Sequence, residues 1–188
     1  SDDDLSRMDE HFPVLAPHAA GAREGQFSQR ARAWFAAHRV LREIARRLTG
    51  GPVSVTRLEA LDKAPQANWF ARWHQDRAED RGEHAAGYLQ NTVVLRVHLD
   101  ACGEDDGPLE VIAGTHCNGR LEAGAIAAIA ASKTPALCLT ERGDVLAMRP
   151  LLLHRLQRAK APDRRRIIHI EYTRSDYLAA VQRLARAS

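Results

Sequence analysis

The chain has 188 residues, 45% hydrophobic and 27% charged, with a formal net charge of +3 at pH 7. That length and balance suit one domain with a continuous core. They exclude a membrane-spanning class, because the longest low-polarity run, around residues 123–131, is short and built mostly of small residues.

Residues 1–27 carry Pro13, Pro17, Gly21 and Gly25 without clear periodicity and read as an irregular arm. The opening Ser1-Asp2-Asp3-Asp4 lacks the basic and apolar regions of a signal peptide and is read as an end outside the fold. From Ser28, a suitable N-cap, Ala31, Trp34, Phe35, His38, Leu41, Ala45 and Leu48 recur at helical spacing with arginines opposite. This predicts one helix closed by Gly50-Gly51-Pro52. Trp34 and Phe35 are its core anchors, since an amphipathic helix must bury one stripe.

After Pro52 the texture changes to short alternating segments rich in β-branched residues, at 53–61, 69–76, 90–100, 109–113, 135–140, 144–154 and 165–174. Seven or eight short strands imply a sandwich or barrel. Asp106-Gly107, preceded by Gly103, predicts a hairpin turn between the third and fourth strands. The acidic run Glu104-Asp105-Asp106 lacks the ligand spacing of an EF-hand and reads as a solvated turn. Leu121 to Ser132 is alanine-rich and helical, and Ser175 to Ala187 reads as an amphipathic helix with Leu178, Val181 and Leu184 on one side.

Cys102, Cys117 and Cys138 are odd in number and form no C-x-x-C pair, so neither a disulfide framework nor a cysteine zinc site is indicated. Reduced thiols fit a cytoplasmic setting. The arginines are scattered with few aromatic residues between them, so no nucleic-acid partner is expected.

In the segment Asn68 to Asp76 a strand sends Phe70, Arg72, His74 and Asp76 to one face and Trp69, Ala71 and Trp73 to the other. His74 and Asp76 thus converge on one point. Far downstream, the apolar run Met148 to Leu153 reads as a buried strand that ends in His154. Two histidines and one carboxylate can occupy one face of Fe(II) and leave positions open for reactants. Taken singly, each histidine is equally a hydrogen-bonded structural side chain; it is the set that points to a reactive metal. Beyond it, Asp163-Arg164-Arg165-Arg166 leads into the strand Ile167 to Tyr172. One guanidinium there can point inward as a planar donor for a carboxylate.

The ordered set of His74-x-Asp76, the run Gly107-Pro108-Leu109 through Gly114-Thr115-His116 to Gly119, Gly143-Asp144-Val145, His154 and Arg165 resembles the phytanoyl-CoA dioxygenase family of Fe(II)/2-oxoglutarate oxygenases over residues 52–174. The resemblance implies a mainly β fold with flanking helices, a double-stranded β-helix or cupin-like jelly roll of eight core strands. The expected layout is a single domain: an arm and helix over 1–51, the jelly-roll core over 52–174 and a C-terminal helix over 175–188. His74, Asp76 and His154 become the catalytic iron ligands and Arg165 the partner of the 2-oxoglutarate C5 carboxylate. Arg164 and Arg166 are rivals only if a bulge shifts the register. His116 is read as structural.

The implied activity is oxidation, typically hydroxylation, of a small organic molecule with O₂, releasing succinate and CO₂. Trp69, Trp73, Arg77, Tyr88, Gln90 and Asn91 are candidate contacts, Asn91 through an amide beside the co-substrate, while Trp69 and Trp73 are expected rather to pack against the outer helices as core. Two departures stand out. Leu156 occupies the place, two positions after the distal histidine, where many relatives have a small hydroxyl residue. Only Arg77 to Tyr88, with Gly82 and Gly87 as flexible points, separates the H-x-D motif from the next strand. Two other readings keep the same ligands: a cupin-like hydrolase or isomerase without 2-oxoglutarate, against which Arg165 argues, and a catalytically silent binding domain.

Overall fold

The computed structural model describes residues 1–15, 21–22, 24–76, 78, 82, 84–160 and 163–187. Its helices are α1 (Asp2–His11), α2 (Gln29–Ala37), α3 (Arg39–Thr49), α4 (Ala85–Gln90), α5 (Ala123–Ser132) and α6 (Ser175–Ala187). Its strands are β1 (Gly21–Ala22), β2 (Val53–Lys63), β3 (Ala71–His74), β4 (Thr92–His98), β5 (Leu109–Ile112), β6 (Ala136–Cys138), β7 (Val145–Met148), β8 (Leu153–Leu156) and β9 (Arg165–Arg174). They form two antiparallel sheets, ordered β1-β2-β9-β4-β7 and β3-β8-β5-β6, the jelly-roll architecture expected from the sequence.

Alternation along the long strands builds two cores from one sheet. On β4, Val93, Leu95 and Val97 join Leu58 and Ala60 of β2 and Ile168, Ile170 and Tyr172 of β9, packed with Met8, Phe35, Leu41 and Ala45 of the helices. The opposite face of β4 sends Val94 into a smaller inter-sheet cluster with Leu109, Met148 and Leu156. Each fully buried side chain of this size contributes about 1.5–3 kcal/mol. Trp69 packs against the inter-sheet cluster, so it is core as expected, but between the sheets and not under the helices.

Four local expectations are corrected. The acidic opening is not outside the fold: Ser1 caps α1 in a capping box with Asp4, and Met8 is buried in the main core. The single helix over 28–49 is two. Ser28 caps α2 as expected, but His38 takes an extended backbone and its Nδ1 accepts from Leu41 N–H, capping α3. Leu48 consequently lies on the exposed side, and Gly50 ends α3 in the left-handed region at φ 77°. The turn at Gly107 joins β4 and β5, which lie in different sheets, so it is a sheet-to-sheet crossing and no hairpin. The segment 144–154 is not one strand either: β7 belongs to the larger sheet and β8 to the smaller, with Arg149–Leu152 turning between them. His154 therefore stands near the start of a strand. No helix among the described residues is long and apolar enough to cross a membrane.

Candidate metal centre

β3 and β8 pair so that His74 and His154 face each other across the ladder, with ring centroids 4.2 Å apart. Each imidazole is oriented by the carbonyl two residues before it: His74 Nδ1 lies 2.7 Å from Arg72 O and His154 Nδ1 2.8 Å from Leu152 O. A proton on Nδ1 satisfies both contacts and leaves the Nε2 lone pair of each ring available, the tautomer a metal ligand needs. His154 Nε2 is 3.5 Å from Asp76 Oδ1, while Asp76 Oδ2 is buried without a hydrogen-bond partner. One ligand atom from each of the three residues falls within 4.8 Å of the others.

The chemistry of this donor set fits a small divalent cation. Burial holds His154 well below the usual imidazole range, at about 4, with the Asp76 carboxylate opposing and His74 reinforcing the shift. It is therefore neutral at physiological pH, with a nitrogen able to take a cation. The orphaned Asp76 oxygen is the kind of buried acceptor that a cation satisfies.

The neighbours of these ligands are themselves fixed. Asp76 N–H donates to Pro150 O at 2.9 Å and Asp76 O accepts from Arg120 Nη1 at 2.7 Å. Gln75, between the two ligands, is buried; its amide donates to Gly119 O and Leu151 O and accepts from Leu121 N–H, all within 2.9 Å. The loop carrying Asp76 is thus tied both to the 114–121 loop and to the turn that delivers His154. Thr115 ties the same regions again, donating to Ile112 O and accepting from Leu153 N–H. His116 is exposed on that loop.

The three neighbouring arginines are placed differently. Arg164 pairs with Asp62 and Arg166 with Asp100 and Asp9 on the outer side, whereas Arg165 is buried. Arg165 Nη1 donates to Gly107 O at 3.0 Å and approaches Cys102 Sγ at 2.9 Å, and its Nε has no partner. Beside it, Lys63 is buried with its ammonium on the carbonyls of Gly107 and Gln157; burial, then the Arg165 charge, pull its pKa down to about 8.

The other expected contacts are placed as follows. Asn91 caps α4, its amide donating to Gly87 O, and its own carbonyl accepts from Arg174 N–H at the opposite end of β9 from Arg165. Tyr88 is buried, its hydroxyl donating to Glu171 Oε2 and hydrogen-bonded to Thr56 Oγ1, while Gln90 is exposed at the end of α4. Arg77 lies outside the described residues. Gly87, expected to be a flexible point, is a packing contact: a Cβ there would meet Tyr177 Oη at 2.7 Å. Trp73 is half-buried, 4.8 Å under the Arg155 guanidinium, on a groove of about 940 Å³ between β3, β8 and α5 that reaches His74.

Sequence reading missed Gln75, Lys63 and Arg96. The last was detectable in principle: Arg96 stands in Thr92–His98, a strand buried at every position, where an arginine needs a reason.

The sequence profile of the family described as Phytanoyl-CoA dioxygenase (PhyH) matches residues 7–167. Among solved structures, AviO1 from Streptomyces viridochromogenes Tue57 is 21% identical at a TM-score of 0.72, the match covering 93% of this chain and 86% of AviO1. EctD from S. alaskensis, with 2-oxoglutarate and 5-hydroxyectoine, is 19% identical at a TM-score of 0.75, covering 94% of this chain and 70% of EctD. EvdMO1 is 22% identical at a TM-score of 0.68, and this chain, matched over 93% of its length, spans only 42% of it. These likenesses establish the fold. No curated protein matches the chain significantly.

Proposed function

The chain belongs to the phytanoyl-CoA dioxygenase family, and on that premise we propose that it oxidises a small organic molecule with O₂ and 2-oxoglutarate at an Fe(II) held by His74, Asp76 and His154. The observation that carries the reading is the convergence of those three ligand atoms within 4.8 Å, with His154 buried and His74 and Asp76 half-buried. The EctD structure, by its description, holds 2-oxoglutarate, and Arg165 is the buried guanidinium here that suits the distal carboxylate of that dianion.

A ferrous ion held there would, with 2-oxoglutarate and O₂, supply the oxidant for a C–H bond, one oxygen atom passing to succinate and the other to the product as CO₂ is released. The chain's own residues supply the rest. His74 and His154 would present their Nε2 atoms, and the Asp76 carboxylate a negatively charged oxygen, to a divalent cation. Arg165 orients the co-substrate by a charge-assisted pair, and the inter-sheet cluster of Val94, Leu109, Met148 and Leu156 excludes water from that end. The primary substrate approaches from the His74 side, where the groove against α5 is open.

Incubation with Fe(II), 2-oxoglutarate and ascorbate under air is expected to release succinate, slowly without a primary substrate and faster with the right one. His154→Ala should abolish the release. Undetectable succinate across a broad small-molecule panel, from protein shown to hold iron, would instead favour a metal protein that does not use 2-oxoglutarate.

A further inference from the structure

Residues 94, 96 and 98 share the face of β4 that looks between the sheets, with Val94 in the inter-sheet cluster. Arg96 is therefore an inward-facing arginine, only 4% exposed, and its Nε and Nη2 have no hydrogen-bond partner. Arg165, equally buried, has its own Nε unpartnered. The two guanidiniums are electrostatic neighbours: burial and then the Arg165 charge lower the Arg96 pKa to about 10, while the Asp76 carboxylate opposes that shift. Along the antiparallel ladders Val94 stands opposite Met148, two residues before the Pro150 carbonyl that holds Asp76, and His98 stands opposite Ile167, two residues after Arg165, so Arg96 lies between the metal ligands and Arg165.

Among the described residues, the other buried basic groups outside the metal ligands are Lys63, His98 and His169, the last opposite Arg96 on β9 with its Nε2 3.9 Å from Glu171 Oε1. The Lys63 ammonium is spent on the carbonyls of Gly107 and Gln157. His98 bonds Thr140 through Nδ1 and is kept neutral, its pKa lowered to about 4 first by burial and then by Arg96 and Arg165. Two adjacent buried guanidiniums with three orphaned nitrogens between them are unfavourable without an anion and favourable around one.

We propose that Arg96 and Arg165 form a two-guanidinium clamp for a dicarboxylate, Arg165 holding the distal carboxylate and Arg96 the oxoacid carboxylate beside the metal ligands. The proposal rests on the 2-oxoglutarate reading above and adds to it a second anchor, so that both ends of the dianion are paired by protein. It also explains how the pocket manages with Leu156, an apolar residue of the inter-sheet cluster, where relatives were expected to offer a hydroxyl.

The test is calorimetric titration of the Mn(II)-loaded protein with 2-oxoglutarate, with pyruvate, which keeps the oxoacid end, and with glutarate, which has two carboxylates and no keto group. Arg96→Gln and Arg165→Gln should each weaken 2-oxoglutarate by about tenfold or more. Arg96→Gln should also weaken pyruvate, whereas Arg165→Gln should leave pyruvate unchanged and weaken glutarate. Arg96→Lys, which keeps the charge and loses the fork, should fall between wild type and Arg96→Gln. A second readout needs no ligand: removing an uncompensated buried charge should leave the melting temperature of the metal-free protein unchanged or raised, whereas loss of a structural arginine would lower it.

Wild-type affinity for 2-oxoglutarate in both Arg96 variants would overturn the clamp and assign Arg96 to an anionic primary substrate. A wild-type protein that loads Mn(II) and binds no 2-oxoglutarate would sink the functional reading and the clamp together.

Discussion

Gln75 shows how much of a metal site is held by a side chain that never touches the metal. Its three hydrogen bonds join the H-x-D turn to two loops, and Gln75→Ala strands two carbonyls and one N–H in a buried place. Unfolding by urea should show a loss on the order of 2–3 kcal/mol, since orphaned buried groups cost about 1 kcal/mol or more each. Metal titration should show a loss of about 10–100-fold in Fe(II) affinity, the usual effect of removing an outer support of metal ligands. Unchanged metal affinity in a destabilised variant would make the clamp a folding device alone. The ligands were legible from their order along the chain and not from strand parity: β3 ends at His74 after a register shift, Trp69 and Ala71 pack between the sheets where Phe70 and Arg72 were expected, and Asp76 is carried by the following loop. Gln75 was invisible because its partners are backbone atoms of loops distant in sequence, and no residue pattern encodes a carbonyl's direction.

Elements were readable where one periodicity ran long enough. β2, β4 and β9 alternate over 7–11 residues and stand close to where the pattern put them. The division of 144–154 into β7 and β8 was marked by Arg149-Pro150, a turn signal that the apolar run Leu151 to Leu153 behind it masked. The break at His38 was hidden because a histidine ring nitrogen made the cap and no glycine or proline marked it. Gly87 is the converse case, a glycine whose role is contact. Gly87→Ala should destabilise the fold by about 1–3 kcal/mol through overpacking of α4 on α6. Tyr177→Phe, which removes the crowding hydroxyl and its bond to His84 O, should cost about 1 kcal/mol alone. In thermal melts the double variant should lose less than the sum of the two, and strict additivity would mean that the helices do not meet at this point.

At the scale of the whole molecule, the sheets enclose titratable groups as well as apolar ones, which makes stability depend on pH. His98 and His154 both stay neutral in the folded protein down to about pH 4, whereas the unfolded chain protonates its histidines near the ordinary value of 6.5. Between those values the unfolded state binds more protons, so metal-free stability should fall as pH drops from 6.5 toward 4 and be indifferent to these groups above 6.5. The loss is on the order of 3 kcal/mol per group at most. Urea midpoints measured from pH 7.5 to 4.5 should decline, and His98→Asn should flatten the decline. A midpoint constant across that range would mean the imidazoles are hydrated in the folded state.

The two-sheet architecture was anticipated from the count and texture of the strands, and the residues of the centre from their order along the chain. Which interior charges lack partners was not, because that depends on what faces what across two sheets.

Anaerobic addition of one equivalent of Fe(II) and excess 2-oxoglutarate, followed by visible absorption, addresses the centre itself. Wild-type protein should develop a weak charge-transfer band that saturates at one iron per chain and is absent from His74→Ala, Asp76→Ala and His154→Ala. A band that survives loss of any of these three side chains, or no band in protein that retains its iron, would contradict a 2-oxoglutarate-binding centre built on them.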